Sequence, residues 1–190
     1  MSTLEVNKIT PISGGTTVTL GDSGDTFNLA SGATAGFGKI GQVVSTHTNA
    51  TSFSTTSATM VDVTGMSVAI TPSSTSSKIL VMATVTCSGN NGGRFFIGFK
   101  RGSTAIGDGD ASGSRIAGVT TGTEQVGGET IDSLSISFLD SPSSTSEQTY
   151  KLTGCAEGSN TFRLNRSPND TDGTNTARGA STITVMEVLP

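Results

Sequence analysis

MVDVTGMSVAIT at residues 60–71 and KILVMATVTC at residues 78–87 decide the fold of this chain. In the first stretch Val61 and Val63 flank Asp62, while Met66, Val68 and Ile70 flank Ser67 and Ala69. Further on, serines separate Leu134, Ile136 and Phe138 in the same way. A period of two puts alternate side chains on opposite faces, so these segments read as strands with one face in a core and one in solvent. The run from Ile79 through Val85 is apolar on both faces and reads as a central strand. Little in this chain looks helical, and the intervening segments are almost pure Ser, Thr and Gly.

Working outward, the same pattern predicts strands over Ile40–Ser45, Ala58–Val63, Gly65–Thr71, Lys78–Cys87, Arg94–Arg101, Ser114–Thr120, Ser133–Leu139, Gln148–Cys155, Asn160–Asn165 and Ala180–Val188. Short strands with turn-rich breaks are the signature of an antiparallel sandwich or jelly roll. Pro72–Ser77 and Asp140–Ser144 read as loops. The last strand pattern stops two residues before the end, which predicts a C-terminal strand tied into a sheet.

The composition shifts near residue 38. Before it the apolar residues are sparse and come as short alternating pairs, Val18 with Leu20 and Phe27 with Leu29, divided by Gly14-Gly15 and by Gly21 to Asp25. Strands of about three residues bury too little to offset a backbone entropy of roughly 1–2 kcal/mol per residue. Residues 1–38 are therefore expected to wrap against copies of themselves or a larger body, as a short β stalk or attachment segment. Ser31 to Gly38 reads as a hinge. Residues 39–190 are expected to form the main sandwich.

Composition excludes several classes. Hydrophobic content is 33% and charged content 14%, which is too little charge for disorder by self-repulsion and too little apolar material for a large private core. Such a chain gains burial from neighbouring copies, so a homotrimer is expected. A net charge of −4, with Lys100-Arg101 the only basic cluster, argues against nucleic acid. The start Met1-Ser2-Thr3-Leu4-Glu5 does not read as a secretory leader, and the longest apolar run, Ile79–Ala83, is too short for membrane insertion. The acceptor patterns at Asn49, Asn165 and Asn169 are then expected to be polar loops. Cys87 and Cys155 are expected to be half-buried free thiols, although sequence does not establish their pairing.

No catalytic, cofactor-binding or metal site is expected. His47, the only histidine, lies in a polar stretch without partner ligands and reads as a surface residue. Asp108 with Asp110, and Asp170 with Asp172, each offer two carboxylates but lack the ligand count of a calcium loop, so both read as solvated turns. Glu124, Glu129 and Asp132 form no nameable acid and base pair. Gly89 to Gly93 precedes a strand and reads as a turn, not a phosphate loop. Phe95, Phe96, Phe99, Phe138 and Phe162 fall at strand positions and read mostly as core, which weakens a carbohydrate-receptor reading.

Residues 1–9, MSTLEVNKI, resemble the amino-terminal segment common in tail-fibre-type proteins of marine bacteriophages, including cyanophages. Residues 55–72, with Lys78-Ile79-Leu80-Val81 after them, resemble the start of the β domain in those proteins, and Phe99–Asp108 resembles its next hairpin. The resemblance implies a virion appendage that is not an enzyme, with a trimeric jelly-roll knob at 39–190. Residues 1–38 would contact other virion proteins of tail, neck or capsid, the knob would meet a host surface receptor, and the location would be the virion, assembled in the host cytoplasm. The rival expectation is a capsid decoration or head-fibre protein that stabilises the shell. A tail depolymerase is a third class, disfavoured by the missing acid pair and the absent Trp.

Overall fold

The computed structural model describes residues 39–190. The expected strands, hinge and attachment role of residues 1–38 lie outside the described residues. Eleven strands follow one another: β1 (Ile40–Thr48), β2 (Ser54–Thr55), β3 (Val61–Ile70), β4 (Lys78–Ser88), β5 (Arg94–Arg101), β6 (Thr104–Ile106), β7 (Thr121–Glu124), β8 (Asp132–Asp140), β9 (Gln148–Ala156), β10 (Phe162–Leu164) and β11 (Ser181–Val188). All pairings between these strands are antiparallel, and they build two sheets. The first sheet runs β1-β11-β4-β10-β2, with β8 on β4; the second runs β3-β9-β5-β6, with β7 on β5.

The two sheets face each other as a sandwich. From the first sheet Ile79, Val81, Ala83, Val85 and Cys87 of β4 point inward, together with Ile183 and Val185 of β11. From the second come Val63, Met66, Val68 and Ile70 of β3, with Phe95, Ile97, Phe99 and Leu152. The alternation along each strand supplies one wall of the core, as its period requires. Phe162 closes one end, edge-on to Phe53 at a centroid distance of 6.0 Å and tilted on Phe95 at 5.6 Å. That ring packs where Gly154 has no side chain, since a Cβ there would lie 2.8 Å from the Phe162 Cε1.

Strand β4 is central, with β11 and then β10 along one edge and β8 along the other. The C-terminal β11 lies between β1 and β4, as expected of a tied-in terminus. Ile79–Val85 is apolar on both faces, as expected of a central strand, but only the inward face is covered, since Leu80 and Met82 are half-exposed on the outer face.

Three expectations differ from the structure. The separate strands at 58–63 and 65–71 are one strand, β3. Asp62 pairs with Thr153 and Ser67 with Lys151, so residues 63–66 stand opposite Leu152 alone. Gly65, at φ +83°, absorbs that bulge without ending the strand. The strand expected at 114–120 is a loop, and the strand follows it at β7. Gly113 and Gly118 take positive φ there, and the loop is pinned by Thr120 N donating to the Ile97 carbonyl at 2.9 Å. The short strands β2 and β6 are additions. Arg101 pairs with Thr104 across Gly102-Ser103, so β5 and β6 make a two-residue hairpin whose Gly102 has φ +58°.

Candidate functional site: the two outer faces of the sandwich

The outer face of the first sheet is built by the alternate residues that the core leaves outside. Register places Val43 opposite Met186, Met186 opposite Leu80, and Leu80 opposite Leu139. These four side chains form one apolar row from edge strand β1 to edge strand β8. Its ends are the most open: Val43 is 58% and Leu139 45% exposed, and Ile40 nearby is 49% exposed. The next row is Ser45, Thr184, Met82 and Ser137, and the one after it His47, Thr182, Thr84 and Ser135. Hydroxyls meet across strands here, Ser45 Oγ and Thr184 Oγ1 at 2.9 Å. Among the described residues, the outward positions of β1, β11, β4 and β8 carry no Asp, Glu or Arg. Lys78 sits at one end of the face, and His47 is exposed on it, 3.4 Å from Thr182 Oγ1.

The second sheet presents the opposite character. Asp62 of β3 accepts from Lys151 Nζ at 2.7 Å and lies 3.5 Å from Lys100 Nζ. The Lys151 hydrogen bond holds the Asp62 carboxyl below its usual range, against the smaller opposing effect of burial. Arg94 bridges Glu124 and Glu157, each at 3.1 Å. Phe96 points outward between these charges, so it is not core. Its ring lies against Gly122, where a Cβ would collide with it. Phe96 also lines a groove of about 420 Å³ shared with Asp110, Arg115, Ile116, Val119 and Glu157. The loop that walls this groove comes close because Gly98 has no Cβ to meet the Gly118 carbonyl.

The remaining sequence-read positions serve the fold. Asp170 is held bidentately by Arg178 at 2.8 and 3.0 Å, so its carboxylate is engaged by a cation of the chain itself. Asp108 and Asp110 are exposed in the loop after β6. Among the described residues no three His, Cys, Asp or Glu side chains converge as a metal-binding group. Cys87 and Cys155 are free thiols, fully buried where half-burial was expected. Burial pushes both thiols up, Cys155 to about 11, so neither is a ready nucleophile.

Asn165 corrects its reading as a polar loop. It is fully buried at φ +58°, and its Nδ2 donates to the carbonyls of Thr48 at 3.0 Å and Ala50 at 3.1 Å. Its Oδ1 accepts from Ser181 Oγ at 2.6 Å. Two other buried polar groups were not legible in the sequence. Asp140 joins the sheets, accepting from Arg101 Nη1 at 2.6 Å and Tyr150 Oη at 2.7 Å on one oxygen. Glu187 points inward from β11 and accepts from Ser73 N at 2.6 Å, Ser73 Oγ at 2.7 Å and Gln42 Nε2 at 2.7 Å.

No family model matches this chain, and no curated protein matches it.

Proposed function

We propose that this chain is a bacteriophage virion structural protein. In this reading it is a fibre-type appendage, attached through residues 1–38, whose residues 39–190 form a trimeric jelly-roll knob for host attachment. The observation that carries it is the division of the sandwich into two unlike faces. A face whose apolar row carries no charge, with Lys78 only at its end, suits assembly with other copies, because burying that row desolvates no ionised group. The charged sheet, with an aromatic-lined groove among its ion pairs, suits the outward contact with a host surface. The segments that resemble phage fibre proteins fall on β3, β4 and the β5–β6 hairpin, which belong to both sheets of this sandwich.

The test is the amount of this chain in purified virions, measured against the major capsid protein. A few copies per particle, released with the tail or fibres, supports the fibre reading. Copies in proportion to the capsid protein replace it with a shell-decorating role, and absence from virions overturns both. Light scattering of the isolated protein should report three chains.

A further inference from the structure

The outer face of the first sheet asks for an occupant. The apolar row Val43, Met186, Leu80 and Leu139 spans the sheet from edge to edge, and its most exposed members stand on the two edge strands. Four strands spaced about 4.8 Å apart, rising about 3.4 Å per residue, give this face a flat outline of about 500 Å². Turned toward one axis, three such faces bring together about 1,500 Å², of the order of the roughly 1,600 Å² total of a standard specific interface. A partner of opposite charge finds little to recognise here, since Lys78 and His47 are the only basic side chains among the outward positions and no acid accompanies them. A second copy meets no like-charge repulsion along the rows. The two edges differ, β1 offering Ile40 and Val43 and β8 offering Leu139. Contact between unlike edges is heterologous, and a bounded particle needs it to close as a ring instead of running on as a filament.

We infer that three copies turn this face toward a common axis, with strands running along the axis, so that Val43 of one copy meets Leu139 of the next. The inference rests on the trimeric reading above and adds the surface that makes the trimer. Each edge-to-edge row then becomes one side of a closed triangular apolar layer. The Ser45 and His47 rows stack beside it as polar layers, and the charged sheet faces outward on all three sides.

Two measurements on the full chain test it. In native mass spectrometry the wild-type chain is expected as a trimer. Leu80→Lys is expected to lower the mass to one chain, while Ala69→Lys, on the outer face of the second sheet, leaves it at three. A wild-type monomer overturns both the trimeric reading and this interface. A wild-type trimer that persists undiminished in Leu80→Lys overturns the interface alone. The pair Val43→Cys with Leu139→Cys decides the geometry without relying on a charged variant. The two positions are separated by β11 and β4 within one chain, about 14 Å across the sheet, too far for an internal bridge. Mild oxidation is expected to yield a covalent three-chain species on a non-reducing gel. A two-chain species as the sole cross-linked product, or no cross-link in a native trimer, overturns the arrangement. The buried Cys87 and Cys155 stay out of the reaction.

Discussion

Asn165 carries more of the fold than its surroundings in the sequence suggest. It holds the end of β1 through the Thr48 and Ala50 carbonyls and the start of β11 through Ser181, whose Oγ in turn accepts from Thr86 N at 2.9 Å. Asn165→Ala leaves those buried partners unsatisfied and keeps a side chain in left-handed backbone, costing about 3 kcal/mol or more. Asn165→Gly loses the same bonds but not the backbone strain, so its urea midpoint is expected to correspond to about 1 kcal/mol more stability than the Ala variant. Equal midpoints would refute the contribution of the backbone. Glu187 makes stability depend on pH. Burial pushes its carboxyl up, but the hydrogen bonds from Ser73 and Gln42 outweigh this and hold the folded-state pKa below the ordinary 4.5. The ionised carboxylate therefore contributes fully at neutral pH, and that contribution is lost as pH falls below about 4.5 through the folded pKa. Glu187→Gln should melt below wild type at pH 7, and the gap should narrow toward about pH 3. A constant gap across that range would mean that the carboxylate charge is not what holds the β3–β4 loop.

At the scale of the element, β4 is the strand on which the sandwich depends. Val81 is fully buried between its flanking strands, whereas Thr75 is exposed in the loop before it. Val81→Asp buries an unpaired carboxylate and should cost several kcal/mol, a large share of an ordinary total of about 5–15 kcal/mol. Thr75→Asp should change stability by less than roughly 0.5 kcal/mol. Similar melting temperatures for the two variants would remove β4 from the core. The loop over the second sheet depends on Gly98 in a different way. A Cβ at Gly98 would drive into the Gly118 carbonyl, so Gly98→Ala should lift the loop and cost about 1–3 kcal/mol. Hydrogen exchange reads this directly, because the Thr120 amide loses its bond to Ile97 and should exchange faster while the β4 amides stay protected.

For the whole molecule, the contrast between the two outer faces organises the proposed assembly. Ion pairs of the second sheet are exposed and contribute little to stability singly, but they keep that surface wetted. The first sheet has no such charge lattice. A chain beginning at Lys39 is expected to keep its β circular-dichroism signal and a cooperative melt, because residues 39–190 by themselves supply two paired sheets and a packed core. It should fail to join particles. Loss of the β signal on truncation would show that residues 1–38 share the core.

The sequence by itself determined the all-β class, the central place of β4, and the alternation of β3 and β8. These follow from local periodicity, which depends only on which side of the backbone each residue falls. The one-residue geometry of Gly65 was hidden, because a bulge and a strand break look alike when only composition is read. The 114–120 loop was hidden too, since Ile116, Val119 and Thr120 are β-branched, strand-prone residues and nothing local reveals that Gly98 leaves room for Gly118. Phe96 and the outward row Val43, Met186, Leu80 and Leu139 required the register. Their positions in the chain lie far apart, and only strand pairing brings them onto one face. Likewise the buried roles of Asn165, Asp140 and Glu187 depend on partners from other strands, which a polar residue's own neighbours in sequence do not disclose. Periodicity is a property of the chain; which face is covered, and by what, is a property of the packed sheets.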